Sequence, residues 1–175
     1  MSIEQTDFRH ALGHFASGVT VITTQYQGQL HGTTVSSFCS LSLKPPLVLV
    51  CIDLNANIHD LIVASKVFGV NIVAEHTEAI SQHFARRLPD KFFGIDYTLG
   101  QLGVPLLEDA LASLECQVVA QYPGGDHSIF VGEVVDVHAR PQAQPLLYYR
   151  SKYSRLHEAD INQASSLVTQ EARRV

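Results

Sequence analysis

The alternation of apolar and polar positions predicts strands over most of this chain, with a few short helices between them. The segment TDFRHALGHFASG sets Phe8, Leu12 and Phe15 on one face at helical spacing. Thr6 or Asp7 can cap its start, and Gly18 falls where a helix commonly stops. Residues 19–24 (VTVITT) are β-branched and read as a strand, and QYQGQL supplies a glycine-containing turn. The stretch HGTTVSSFCSLSLKPP continues as a strand to about Ser37, then as a loop closed by Pro45–Pro46. LVLVCID (47–53) reads as a buried strand. Asn57 is a good cap for the helix in NANIHDLIVAS, with Asp60 three residues on and Ile58, Leu61 and Ile62 facing inward. VFGVNIV (67–73) is a strand, and HTEAISQHFARR a helix with Thr77 as cap and Ile80 and Phe84 buried.

From Leu88 to Leu107 the pattern is irregular, with two prolines and three glycines. ASLECQVVAQY then alternates cleanly, and HSIFVGEVVDVHAR returns as a second long strand. Only Pro123-Gly124-Gly125-Asp126 joins them, so the pair is antiparallel, because a parallel pair needs a crossover. PLLYYRSKYSRL ends the core, and the polar remainder to Val175 reads as helical or loose. The expected fold is mainly β with flanking helices, an antiparallel barrel with helices packed outside. The expected division is one domain over 1–156 and a tail over 157–175.

Composition narrows the classes. Of 175 residues, 46% are hydrophobic and 17% charged, which excludes a disordered chain. The net charge of −5, with no basic block before Arg173–Arg174, argues against a nucleic-acid partner. MSIEQTDFRH has neither the basic nor the apolar region of a signal peptide, and the longest apolar run, Leu47 to Ile52, is too short to cross a bilayer. No membrane association is expected. Cys39, Cys51 and Cys116 are odd in number and widely spaced, which suits a reducing cytoplasm.

Several chemistries lack their motifs. There is no GxGxxG, no GxxxxGK[ST] and no Gly-x-Ser-x-Gly elbow. His10 and His14 are four apart on one helix face, but no carboxylate lies between them, and His76 and His83 lack a nearby third ligand. No metal site is expected.

What stands out is the density of hydroxyls between two apolar strands: Thr33, Thr34, Ser36, Ser37, Ser40 and Ser42. Backbone N–H groups, small hydroxyls and a helix N-terminus can hold a phosphate or a polar heterocycle without a buried cation. Thr33 to Ser37 at a strand end and Asn57 at a helix start supply that kit if the two strands are neighbours, and Lys91 can add a charge. An edge strand with solvent-facing Ser and Thr fits the same pattern equally well.

Five segments in order carry a resemblance: FASGVTVITT (15–24), HGTTVSSFCSLSLKPPLVLVCID (31–53), FGVNIVAE (68–75), DHSIFVGEVVDV (126–137) and PLLYYRSKY (145–153). Together, from about Phe8 to Tyr153, they resemble the short-chain flavin reductases, the NAD(P)H-dependent partners of two-component monooxygenases built on an FMN-binding split β-barrel. The resemblance implies reduction of FMN or FAD by NADH or NADPH, a homodimer with the flavin near the subunit interface, and an oxygenase that receives reduced flavin. It assigns the isoalloxazine edge and ribityl chain to Thr33, Thr34, Val35, Ser36 and Ser37. The flavin tail falls to Cys51, Ile52, Asp53 and Asn57, the neighbouring side to Asn71 and Ile72, and a phosphate contact to Lys91. His127 and Tyr153 would face the nicotinamide, with His127 the catalytic candidate. The chain departs from the family at Asn55-Ala56-Asn57, where Ser or Thr is common, and at Cys39, where Thr is frequent. A non-catalytic split-barrel protein that binds flavin or haem is the alternative, and a pyridoxamine-phosphate oxidase-like enzyme would want more Arg and Lys around the phosphate.

Overall fold

A computed structural model describes residues 3–140 and 143–157, so the polar tail expected over 157–175 lies, beyond its first residue, outside the described residues. Helix α1 (Gln5–Leu12) precedes β1 (Ser17–Gly18), β2 (Thr20–Tyr26) and β3 (Gln29–Val35). Next come β4 (Phe38–Leu43), β5 (Pro46–Asp53), α2 (Asn57–Ser65), β6 (Val67–Val73) and, after one 3-10 turn, α3 (Glu78–Ala85). The small hairpin β7 (Tyr97–Leu99) and β8 (Pro105–Leu107) leads into the long pair β9 (Ala110–Gly124) and β10 (His127–Ala139). Strands β11 (Leu147–Tyr149) and β12 (Lys152–Ser154) follow.

Seven strands form one antiparallel sheet in the order β3-β2-β6-β9-β10-β5-β4. The strands at its two ends, β3 and β4, are consecutive in the chain, with only Ser36 and Ser37 between them. A link of that length reaches about 11 Å at most. The sheet therefore has to curl until its first and last strands approach each other, which makes it a split barrel. This is the expected fold class.

Two hydroxyls of the run, and Thr20 beside it, satisfy main-chain carbonyls near the split and in α3. Ser37 Oγ donates to Cys51 O (2.8 Å), Thr34 Oγ1 to Ser81 O in α3 (2.6 Å), and Thr20 Oγ1 to Val35 O (3.1 Å). The segment after Ser37 is not the expected loop. It is the edge strand β4, paired with β5 from Phe38↔Val50 to Leu43↔Pro46, because Ser and Leu alternate there with the period of a strand.

The barrel interior is filled by Ile22, Val50, Ile52, Phe68, Val70 and Phe130, capped by Ile58 and Ile62 of α2. A second cluster outside the barrel, including Val19, Val21, Phe84, Phe92 and Leu146, packs beneath α3. Strand β2 is buried on both faces because it separates the two clusters. At Gly132 a bulge lets β10 cross the core closely: a Cβ there would lie 2.5 Å from Phe68 Cζ.

Helix details differ from the sequence pattern. Asn57 is the first residue of α2 and not its cap, a position that falls to Ala56. Thr77 precedes α3, but its hydroxyl donates back to Ala74 O. Phe8 and Leu12 of α1, and Phe15 just after it, are left 54, 55 and 79% exposed among the described residues. No helix among the described residues is long and apolar enough to cross a membrane.

Candidate functional site

A cleft of about 410 Å³ opens between β3, the start of α2 and the segment after α3. Strand β3 supplies His31, Gly32 and Thr33 to it. Asp53 closes β5, and its Oδ1 accepts Asn55 N–H (2.7 Å) and Asn55 Nδ2 (3.2 Å). This side-chain turn swings the chain into α2, so that Asn57 and Ile58 line the cleft. The first amides of a helix have no intrahelical acceptor and carry its positive end, which favours an anion.

The third wall follows α3 and brings Arg86 and Arg87 together with Lys91. Lys91 Nζ donates to Gly32 O (2.9 Å) and Phe84 O (2.8 Å), tying β3 to the end of α3. His83 Nε2 donates to Lys91 O (2.9 Å) and holds the segment in place. The approach depends on Gly32, since a Cβ there would lie 2.6 Å from Phe84 Cε1. Burial holds the Lys91 ammonium below its ordinary pKa. Burial, followed by the charge of Lys91, lowers His31 from 6.5, so its ring stays neutral at neutral pH. Three cations, a helix N-terminus and the hydroxyl of Thr33 thus converge on a cleft of small-molecule size. That donor set suits a phosphate-bearing ligand, and the residues fit the tail of a flavin nucleotide.

His127 opens β10 and pairs across the sheet with Asp53, which lines the cleft. Its Nδ1 donates to Asp126 Oδ1 (2.7 Å), and its side chain is 40% exposed. That hydrogen bond, and then the positive charge of the imidazolium, hold the Asp126 carboxyl below its usual range.

Of the residues singled out in the sequence, Thr33, Asp53, Asn57 and Lys91 line the cleft. Thr34 and Ser37 spend their hydroxyls on the Ser81 and Cys51 carbonyls, and Ser36 is exposed beside them. Val35 packs on the barrel core and Ile52 points into it. Cys51 donates its N–H to Ser37 O (3.1 Å), and burial, then the neighbouring Cys39, raises its thiol pKa. Asn71 is fully buried on β6: Nδ2 donates to Val21 O, and Oδ1 accepts Leu107 N–H (2.8 Å) and Ser113 Oγ (2.9 Å). Ile72 borders a small hollow of about 10 Å³ near Leu107. Tyr153 shares a hydrogen bond with Ser81 (2.8 Å) and packs on the cluster beneath α3.

Sequence reasoning passed over His31, Arg86 and Arg87. The sequence pattern offered neutral donors without arginines, and the cleft has Arg86 and Arg87 beside them. In the sequence Arg86 and Arg87 simply end a helix pattern, where basic residues are ordinary. Elsewhere, Glu115, Asp136 and His138 form a cluster of potential ligands, but both Glu115 oxygens already accept main-chain N–H groups, from Gln101 (2.9 Å) and Leu102 (2.7 Å).

A split barrel with a cation-lined cleft and an imidazole on the strand paired with one of its walls defines a nucleotide-cofactor-binding class. The chain belongs within it to the family of the flavin reductase like domain, whose model matches residues 12–157. It is 40% identical over 153 residues to the reductase subunit HsaB of a flavin-dependent monooxygenase from Rhodococcus jostii, covering 87% of this chain and 78% of the relative. It is 39% identical to the reductase component of 4-hydroxyphenylacetate 3-monooxygenase from Thermus thermophilus, covering 85% and 95%. Among solved structures it resembles the NADH:FAD oxidoreductase SgcE6 of Streptomyces globisporus in complex with NAD and FAD fragments. There the TM-score is 0.85 and the identity 35%, over 90% of this chain and 98% of the other.

Proposed function

We propose that this chain is an NAD(P)H:flavin oxidoreductase that takes FMN or FAD reversibly into the cleft, reduces it and releases it to a separate monooxygenase. The observation that carries this reading is the cleft itself, with cations and helix amides at one end and His127 paired with Asp53 of its wall. The names of the relatives, reductase components of two-component monooxygenases and an NADH-dependent FAD reductase, support the same activity and the same kind of partner. A flavin held in this cleft would supply the redox chemistry, as hydride acceptor.

The chain's own residues have to bind, align and exclude water. Arg86, Arg87, Lys91 and the amides of Asn57 and Ile58 hold the phosphate end, with Thr33 and His31 beside the sugar chain. Ser36 and Ser37 act through main-chain N–H groups at the ring edge, since the Ser37 hydroxyl and carbonyl are already committed to Cys51, which backs the flavin tail. His127 meets the nicotinamide. Asn71 and Ile72 shape the wall from behind, and Tyr153 steadies α3 through Ser81. The three free cysteines support a reducing cytoplasm as its location.

We assign the apolar stripe of Phe8, Leu12 and Phe15 to a second copy of the chain, because it stays exposed among the described residues. Light scattering at micromolar concentration is expected to give twice the chain mass. A monomer that retains full flavin affinity rules out a site completed by the dimer.

The function is tested across a dialysis membrane that retains the protein, with oxygen excluded and nucleotide and flavin on the protein's side. Loss of the nicotinamide absorbance and reduction of cytochrome c on the far side are expected. No flavin reduction with either nucleotide would establish a flavin-binding protein without turnover. Reduction without transfer would leave an enzyme but remove the two-component role.

A further inference from the structure

A chain of side-chain hydrogen bonds ties α2 to β10 behind the cleft. Gln121 Nε2 donates to Ser128 Oγ (3.1 Å), Ser128 Oγ lies 2.9 Å from His59 Nε2, and His59 Nδ1 lies 2.7 Å from Asp60 Oδ1. Its direction follows from its ends. An ionised carboxylate only accepts, so Nδ1 carries the proton. In the neutral ring Nε2 then accepts, and Ser128 is the donor. His59 is 8% and Ser128 4% exposed, and the His59 ring meets Phe130 edge-on at 5.6 Å.

The order Ser–His–Asp is that of an acyl-transfer triad. Here the serine is buried and its oxygen already receives Gln121, so it is no nucleophile. The ends it joins are more telling. His59 is the third residue of α2, whose first two residues line the cleft. Ser128 directly follows His127. Because side chains alternate along a strand, anchoring Ser128 inside the barrel fixes how far His127 rolls on the outside.

We propose that His59 is a positioning residue that couples the flavin-tail end of the site to its nicotinamide end. This rests on the reading of the cleft and of His127 given under Proposed function. Without the imidazole, the first turn of α2 loses its tether to β10, and the Ser128 proton loses its acceptor. Both subsites loosen together, although His59 touches neither ligand. Asp60, at 93% side-chain exposure, contributes mainly by fixing the tautomer.

The test measures flavin affinity by fluorescence without nucleotide, then KM for nucleotide, kcat and Tm. His59→Leu is expected to raise both the flavin Kd and the nucleotide KM about tenfold, with kcat at saturation changed less than about twofold. Ser128→Ala should do the same, and gives the readout should His59→Leu not fold. The double variant should be no worse than His59→Leu, because one hydrogen bond is lost only once. His59→Gln, whose amide oxygen can still accept from Ser128, should recover most of the loss. A lowered Tm with both ligand constants unchanged overturns the coupling, as does full additivity of the two variants. A normal nucleotide KM in His127→Ala instead overturns the underlying reading of the site, whatever the His59 variants show.

Discussion

Replacing Arg86 and Arg87 together with alanine is expected to weaken FMN and FAD binding by roughly a hundredfold while moving riboflavin by less than about threefold. The two guanidinium groups sit after α3 on the wall facing the α2 amides. A charge-assisted hydrogen bond to phosphate contributes about 1.5–3 kcal/mol when well formed. Both arginines are exposed, so water and salt reduce that figure and the lower end applies to each. Roughly tenfold per arginine gives the combined loss, and raising the salt should shrink it. Riboflavin has no phosphate and so provides the internal control. Fluorescence titration of the three flavins at low and high salt decides the matter. An equal loss for riboflavin would place the arginines at the ring or in the fold, and an unchanged FMN affinity would remove them from the site.

The parts of this picture that the sequence carried are the local ones. The turn at Gly124-Gly125 between two alternating runs, and the helix in NANIHDLIVAS, depend on residues within a few positions of one another. The cleft does not. Arg86 is 55 positions from His31, and basic residues at the end of a helix are ordinary, so nothing in ARR announces a ligand. Of the hydroxyls only Thr33 lines the cleft; Ser37 serves the Cys51 carbonyl beside the split and Thr34 a carbonyl of α3, contacts that exist only once the sheet curls and α3 packs on β3. Asn71 carried a different signal. A lone amide within VFGVNIV marks a buried polar hub, and its side chain bonds to β2, β8 and β9. The stripe of Phe8, Leu12 and Phe15 was legible as apolar from its spacing, whereas its exposure among the described residues follows from how the chain folds around it.

His127→Ala is expected to raise the nucleotide KM roughly ten- to a hundredfold and leave the flavin Kd nearly unchanged. His127 pairs with Asp53 across the sheet, and the cleft proposed for the flavin tail is built mainly from other elements. Its Nδ1 is engaged by Asp126, which fixes the ring and leaves Nε2 for a ligand in this proposal. The orienting carboxylate is robust to acid. Its folded pKa lies below the ordinary 3.8, chiefly through the hydrogen bond from His127, so its contribution is fully present above 3.8 and is lost as pH falls through the lowered folded value. Asp126 is fully exposed, so Asp126→Asn should produce a smaller rise in KM than loss of the ring itself. Steady-state kinetics with flavin saturating, beside a flavin titration without nucleotide, separates the two subsites. If His127→Ala weakens flavin while nucleotide kinetics stay normal, the imidazole belongs to the flavin and the nicotinamide approaches from elsewhere.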